Sequence, residues 1–122
     1  MLYGIVIGEA SSPEKAEELA EKYKDCPYLI VEFTNSNKIY SVLAVPDENE
    51  WWLKYPEINP EVVGYKRAKV FISDKSFVPE KFEIRVPEVR ERIAPCGADC
   101  GNCNLKKEYK CKGCPATIYY GK

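Results

Sequence analysis

Apolar residues fall into short, strongly patterned runs as far as Pro87 and become scarce beyond it. Leu2–Glu9 is a nearly continuous apolar run broken by Gly4 and Gly8, the pattern of a buried strand. The stretch SSPEKAEELAEKYKD that follows predicts a helix. Ser11 or Ser12 is placed to cap it, Pro13 suits its first turn, and Glu14 meets the positive end of the helix dipole. Ala16, Leu19, Ala20 and Tyr23 recur at helical spacing and mark its buried face, and Cys26-Pro27 ends it.

Two β-branched and aromatic runs within residues 28–45 flank Asn35-Ser36-Asn37, which predicts a hairpin. Pro46-Asp47 then opens a second helix, with Asp47 and Glu50 spaced as a capping box and Pro56 and Pro60 expected to stop it. Trp51, Trp52 and Tyr55 share one side of that helix; they read as core and interface before they read as a stacking platform for a planar ligand. EVVGYKRAKVFIS, residues 61–73, returns to strand. KFEIRV, residues 81–86, alternates strictly between Pro79 and Pro87 and predicts a fifth, edge strand. The order β-α-β-β-α-β plus an extra strand predicts an α+β domain over residues 1–87, a ferredoxin-like split βαβ sandwich with helices on one face of an antiparallel sheet. That architecture hosts unrelated functions and assigns none.

Past Pro87, EVRERI reads as a short charged helix, after which cysteine, glycine and lysine dominate. Residues 88–122 hold too few aliphatic side chains to fold without a staple, so they form a second unit that depends on its cysteines. Five of the six cysteines lie there, spaced Cys96-x3-Cys100-x2-Cys103-x7-Cys111-x2-Cys114. Cys100 with Cys103 and Cys111 with Cys114 are two short turns able to point four sulfurs at one ion. Gly101 and Gly113 sit inside those turns, where a positive φ is often needed. The seven-residue link between the pairs predicts a tight turn or one helical turn.

The chain contains no histidine, which excludes mixed Cys/His zinc sites and any histidine general base. All-thiolate ligation suits zinc and also iron–sulfur clusters. The first reading is a structural zinc on Cys100, Cys103, Cys111 and Cys114, in a module that acts as a scaffold or interaction surface and not as an enzyme. The alternative is a [4Fe–4S] cluster that draws Cys96 into a Cys96-Cys100-Cys103 triple, in an electron-transfer or accessory protein. Pro115 after Cys114 echoes the Cys-Pro ending of bacterial ferredoxin motifs. A redox pair Cys111/Cys114 and a set of disulfides are lesser readings; the lack of Gln and abundance of Lys and Glu, a thermophile-like composition, keeps the disulfides open. Cys26, alone before a strand, reads as a small buried hydrophobe.

The segments CGADCGNCNL and KCKGCP are similar to the pattern Cys-Gly-x2-Cys-x2-Cys … Cys-x-Gly-Cys of a family of small cysteine-rich proteins of bacteria and archaea. That family is described as zinc-binding and has no established activity. The resemblance is carried by Cys96, Gly97, Cys100, Cys103, Cys111, Gly113 and Cys114 within residues 95–116, and it implies metal binding without a cellular role.

Charge narrows the partners. A formal net charge of −1 gives no global field for nucleic acid or an anionic membrane. Lys106, Lys107, Lys110 and Lys112 crowd the knuckles, so a nucleic-acid adaptor is a third reading. Their simpler role is to keep the tail soluble and offset thiolates. The expected partner is therefore a protein. With no apolar stretch of membrane-spanning length and no leader pattern, a cytoplasmic location is expected.

Overall fold

The computed structural model of the chain describes residues 1–80 and 84–121. Leu2–Glu9 is strand β1, burying Gly4, Val6 and Gly8 while Ile5 faces out. Helix α1, Pro13–Tyr23, starts as its sequence dictates: the Ser12 hydroxyl accepts the Lys15 N–H at 3.1 Å, and Ala16 and Leu19 are buried. Strands β2, Leu29–Asn35, and β3, Lys38–Val45, form the expected hairpin, with Ser36 at φ 57° in its turn. Helix α2, Glu50–Ile58, and strand β4, Arg67–Ser73, complete the order β-α-β-β-α-β.

The four strands form one antiparallel sheet in the order β2-β3-β1-β4. This is an α+β architecture compatible with a ferredoxin-like fold. Helix α1 lies over β2 and β3, and α2 lies over β4 and β1. The core sits between sheet and helices: Val6, Leu29, Ile39, Leu43 and Val45 from the strands meet Ala16, Leu19 and Leu53 from the helices. The register sets a row across the inner face, with Glu32 opposite Ser41, Ser41 opposite Val6, and Val6 opposite Val70. The outer face is apolar and open. Ile5, Val31, Phe33 and Phe71 are exposed there, and Phe33 stacks on Tyr40 with ring centroids 5.0 Å apart. No helix among the described residues is long and apolar enough to cross a membrane.

Five local expectations change. The Asp47/Glu50 capping box does not form; a 3-10 turn, Asp47–Asn49, leads into α2 without a side-chain cap. Pro56 lies inside α2 and does not stop it, because only one further turn follows and the Asn59 N–H still reaches the Tyr55 carbonyl at 2.8 Å. Residues Pro60–Val63 are a 3-10 turn, so the returning strand begins only at Arg67. Residues 88–93 are not helical. Seven residues between Pro87 and Pro95 are too few to repay helix nucleation, and Glu91 instead bridges Thr117 in parallel. The fifth strand expected over residues 81–86 falls partly on residues 81–83, which lie outside the described residues; Ile84, Arg85 and Val86 are not in a strand.

The tail is fastened to the sheet domain at named points. The buried Tyr28 hydroxyl donates to the Gly113 carbonyl at 2.9 Å and accepts from Asn49 Nδ2 at 3.3 Å. Trp51 stacks on Tyr109 with centroids 4.7 Å apart, and Lys112 Nζ lies 3.8 Å from the Glu48 carboxylate. Tyr28→Phe removes one hydroxyl and strands a buried carbonyl. Urea unfolding of this variant is expected to show a loss of about 1–3 kcal/mol; unchanged stability would mean that the bond does not hold the tail.

Candidate metal centre

The two cysteine pairs sit on short turns held by local hydrogen bonds. Asp99 precedes the first. Its carboxylate accepts the Gly101 N–H at 3.1 Å and Asn102 Nδ2 at 2.9 Å, which winds Cys100–Asn102 into a 3-10 turn. Cys103 then begins helix α3, Asn104–Glu108, the single helical turn that the seven-residue link predicts. Lys110, at φ 55°, reverses the chain into Cys111, whose N–H donates to the Lys106 carbonyl at 2.9 Å.

The second pair shows the backbone-to-sulfur bonding that suits a thiolate. The Gly113 N–H donates to Cys111 Sγ at 3.3 Å, and the Ala116 N–H donates to Cys114 Sγ at 3.4 Å. Hydrogen bonds to sulfur favour its ionised form, as a metal ligand requires. Gly113 adopts φ +84°, which a side chain at this turn would resist. Gly101 serves differently from the expectation. Its φ is not positive; a Cβ there would stand 2.7 Å from the Tyr119 ring, so glycine is needed for close approach.

Cys100, Cys103 and Cys111 line one open cleft of about 500 Å³, together with Lys106, Lys107, Lys110 and Tyr119. Cys100 and Cys103 lie within electrostatic reach of Cys111, and Cys100, Cys96 and Cys111 lie within reach of Cys114. Burial pushes the Cys111 thiol up and the Cys114 thiol up to about 11, with backbone N–H donation to each sulfur opposing the shift. No disulfide joins the described cysteines, and all six thiols are partly buried. Among the described residues no group of three or more cysteine, aspartate or glutamate side chains stands in a metal-holding arrangement. The donor set itself fits a thiophilic ion: four sulfurs from two turns, two of them already accepting N–H bonds.

Cys96 does not line that cleft. With Cys26 it lines a second cavity, of about 170 Å³, between the inner face of the sheet and the helices. Cys26, read from sequence as an isolated small hydrophobe, is within electrostatic reach of Cys96 and Cys114, and burial pushes its thiol up to about 12. Its neighbours are remote in the chain, so no spacing could have revealed them. Glu32 also lines this cavity and was not singled out by motif; the signal available was a carboxylate on the inward side of β2. The aromatic group on α2 is used for packing. Trp52 meets Tyr28 edge-on, and Trp51 lies between Tyr55 and Tyr109.

No family model and no curated protein matches the chain. Among solved structures, the crystal structure of PH0061 is similar with a TM-score of 0.48 and 20% identity, over 69% of this chain. The chain spans 57% of the length of that protein.

Burial alone raises the Glu32 carboxyl to about 7, above its value in an unfolded chain. As pH rises from about 4.5 to about 7 the unfolded state loses this proton first, so stability falls through that window. Below it, where both states are protonated, the contribution vanishes. Urea unfolding at a series of pH values is expected to show Glu32→Gln gaining on the native protein across this window. Parallel curves would place the Glu32 carboxyl in water.

Proposed function

We propose that the chain is a metal-binding protein whose tail, residues 88–122, carries a structural zinc on Cys100, Cys103, Cys111 and Cys114. The observation that carries this reading is that Cys100, Cys103 and Cys111 line one cleft, with Cys114 in electrostatic reach of two of them. The N–H bonds to Cys111 and Cys114 sulfur support it. Four thiolates on Zn²⁺ leave a charge of −2, and Lys106, Lys107 and Lys110 on the same cleft offset it. In this reading the ion supplies the folding energy that the tail's side chains lack. The sheet domain, residues 1–87, is a ferredoxin-like platform for it, and the whole serves as a cytoplasmic scaffold or interaction surface for a protein partner, with no catalytic residue. Cys96 stands beside the site, since it lines the inner cavity.

Metal analysis and an absorption spectrum of anaerobically purified protein test the proposal. One zinc per chain and no visible absorption are expected. A brown protein with bound iron would establish the [4Fe–4S] alternative in its place. Cys114→Ser is expected to lose the zinc, while Cys96→Ser retains it at full occupancy. Loss of metal in Cys96→Ser would bring that thiol into the site and favour the cluster.

A further inference from the structure

The inner cavity has the features of a binding site independent of the metal centre. It lies over the row Glu32–Ser41–Val6, which runs inward from the edge strand β2, and Leu43, Trp52 and Leu53 supply much of its wall. It has a volume of about 170 Å³ and opens to solvent on one side. Apolar cavities of about 150 Å³ take up a benzene ring. The position of Glu32 is the second observation. A carboxylate on the inward face of a strand costs desolvation unless it meets a partner. The cavity's titratable groups are Glu32 from β2, Tyr23 from α1, Tyr55 from α2, and Cys26, Tyr65 and Cys96 from the connecting segments; no lysine or arginine lines it among the described residues. Tyr23 donates its hydroxyl to the Val63 carbonyl, leaving it turned toward the backbone. No hydrogen bond or ion pair to the Glu32 carboxylate or the Ser41 hydroxyl occurs among the described residues. An apolar chamber whose half-buried acid meets no cation among the described residues is complementary to a compact organic cation.

We propose that this cavity binds a small amine with an apolar body, an aryl or branched-alkyl ammonium of roughly six to nine non-hydrogen atoms. Its hydrocarbon part packs on Trp52, Leu43 and Leu53, and its ammonium group donates to Glu32 and Ser41. The charge of the ligand supplies what the cavity wall lacks, and the wall excludes longer or more polar amines by size.

Calorimetric titration of the purified full chain with benzylamine at about pH 8, where both the amine and Glu32 are charged, tests this. Saturable binding with a Kd at or below about 1 mM is expected. A charge-assisted hydrogen bond is worth roughly tenfold or more in affinity, so Glu32→Gln should weaken binding by at least that factor. Toluene, which fills the same space without the ammonium, should bind more weakly than benzylamine to the native protein and equally well to native protein and Glu32→Gln. Ser41→Leu, which fills the cavity from the sheet side, should abolish benzylamine binding, and a retained or raised melting temperature shows that this variant is folded. Absence of saturable benzylamine binding to the native protein, or an affinity that Glu32→Gln leaves unchanged, overturns the proposal.

Discussion

One phenol joins the two halves of this molecule. Tyr28 stands where the chain leaves α1 for β2, is almost fully buried, and meets Trp52 edge-on on the inner side of the sheet. Its hydroxyl reaches the carbonyl of Gly113, the glycine inside the second cysteine turn. The tail needs such a seat because it has almost no core. Its buried residues, Ala94, Gly113, Pro115, Ala116 and Thr117, are small and contribute little apolar area. Hydrogen bonds from Glu91 to Ala116 and from Ile118 to Glu91 fold it back on itself, but they exchange for water at little net gain. Docking on Tyr28 and the Trp51–Tyr109 stack give the tail a place, and the proposed ion would give it cohesion.

The six thiols divide between two environments separated by little distance. Cys100, Cys103 and Cys111 face the lysine-rimmed cleft, whereas Cys26 and Cys96 face the apolar chamber under the helices. Cys114 lies between, in electrostatic reach of members of both groups. This division matters for the chemistry each thiol can take up. On the cleft, burial pushes the Cys111 thiol up while Lys106 draws it down; on the chamber, burial pushes the Cys26 thiol up with no cation to oppose it among the described residues.

Local rules carried most of the fold into the sequence. Ser12 and Pro13 announced α1, the polar triplet at 35–37 announced the hairpin, and the apolar run at 2–9 announced the central strand. What stayed hidden was decided at long range. Residues 88–93 have helical composition, yet their backbone pairs with Ala116 and Ile118, partners that no local pattern names. Asp47 and Glu50 have the spacing of a cap, but a 3-10 turn takes that position. For the candidate site, the Cys-x2-Cys pairs and the helical link were legible because their geometry is set within a few residues. The placement of Cys96, the company of Cys26 and the inward carboxylate of Glu32 were not, since strand register and tail docking decide them. Gly101 shows the same limit: its presence was legible, but the Tyr119 ring that requires it lies across the tail.

The sequence separations in the tail imply an order of assembly. The two cysteine turns are joined by one short helix, and gathering them closes only small loops. The Tyr28–Gly113 bond spans 85 residues and cannot form until β2 and its neighbours exist. The knuckles are thus cheap to close but weak on their own, whereas their seat is costly to reach and waits for the sheet.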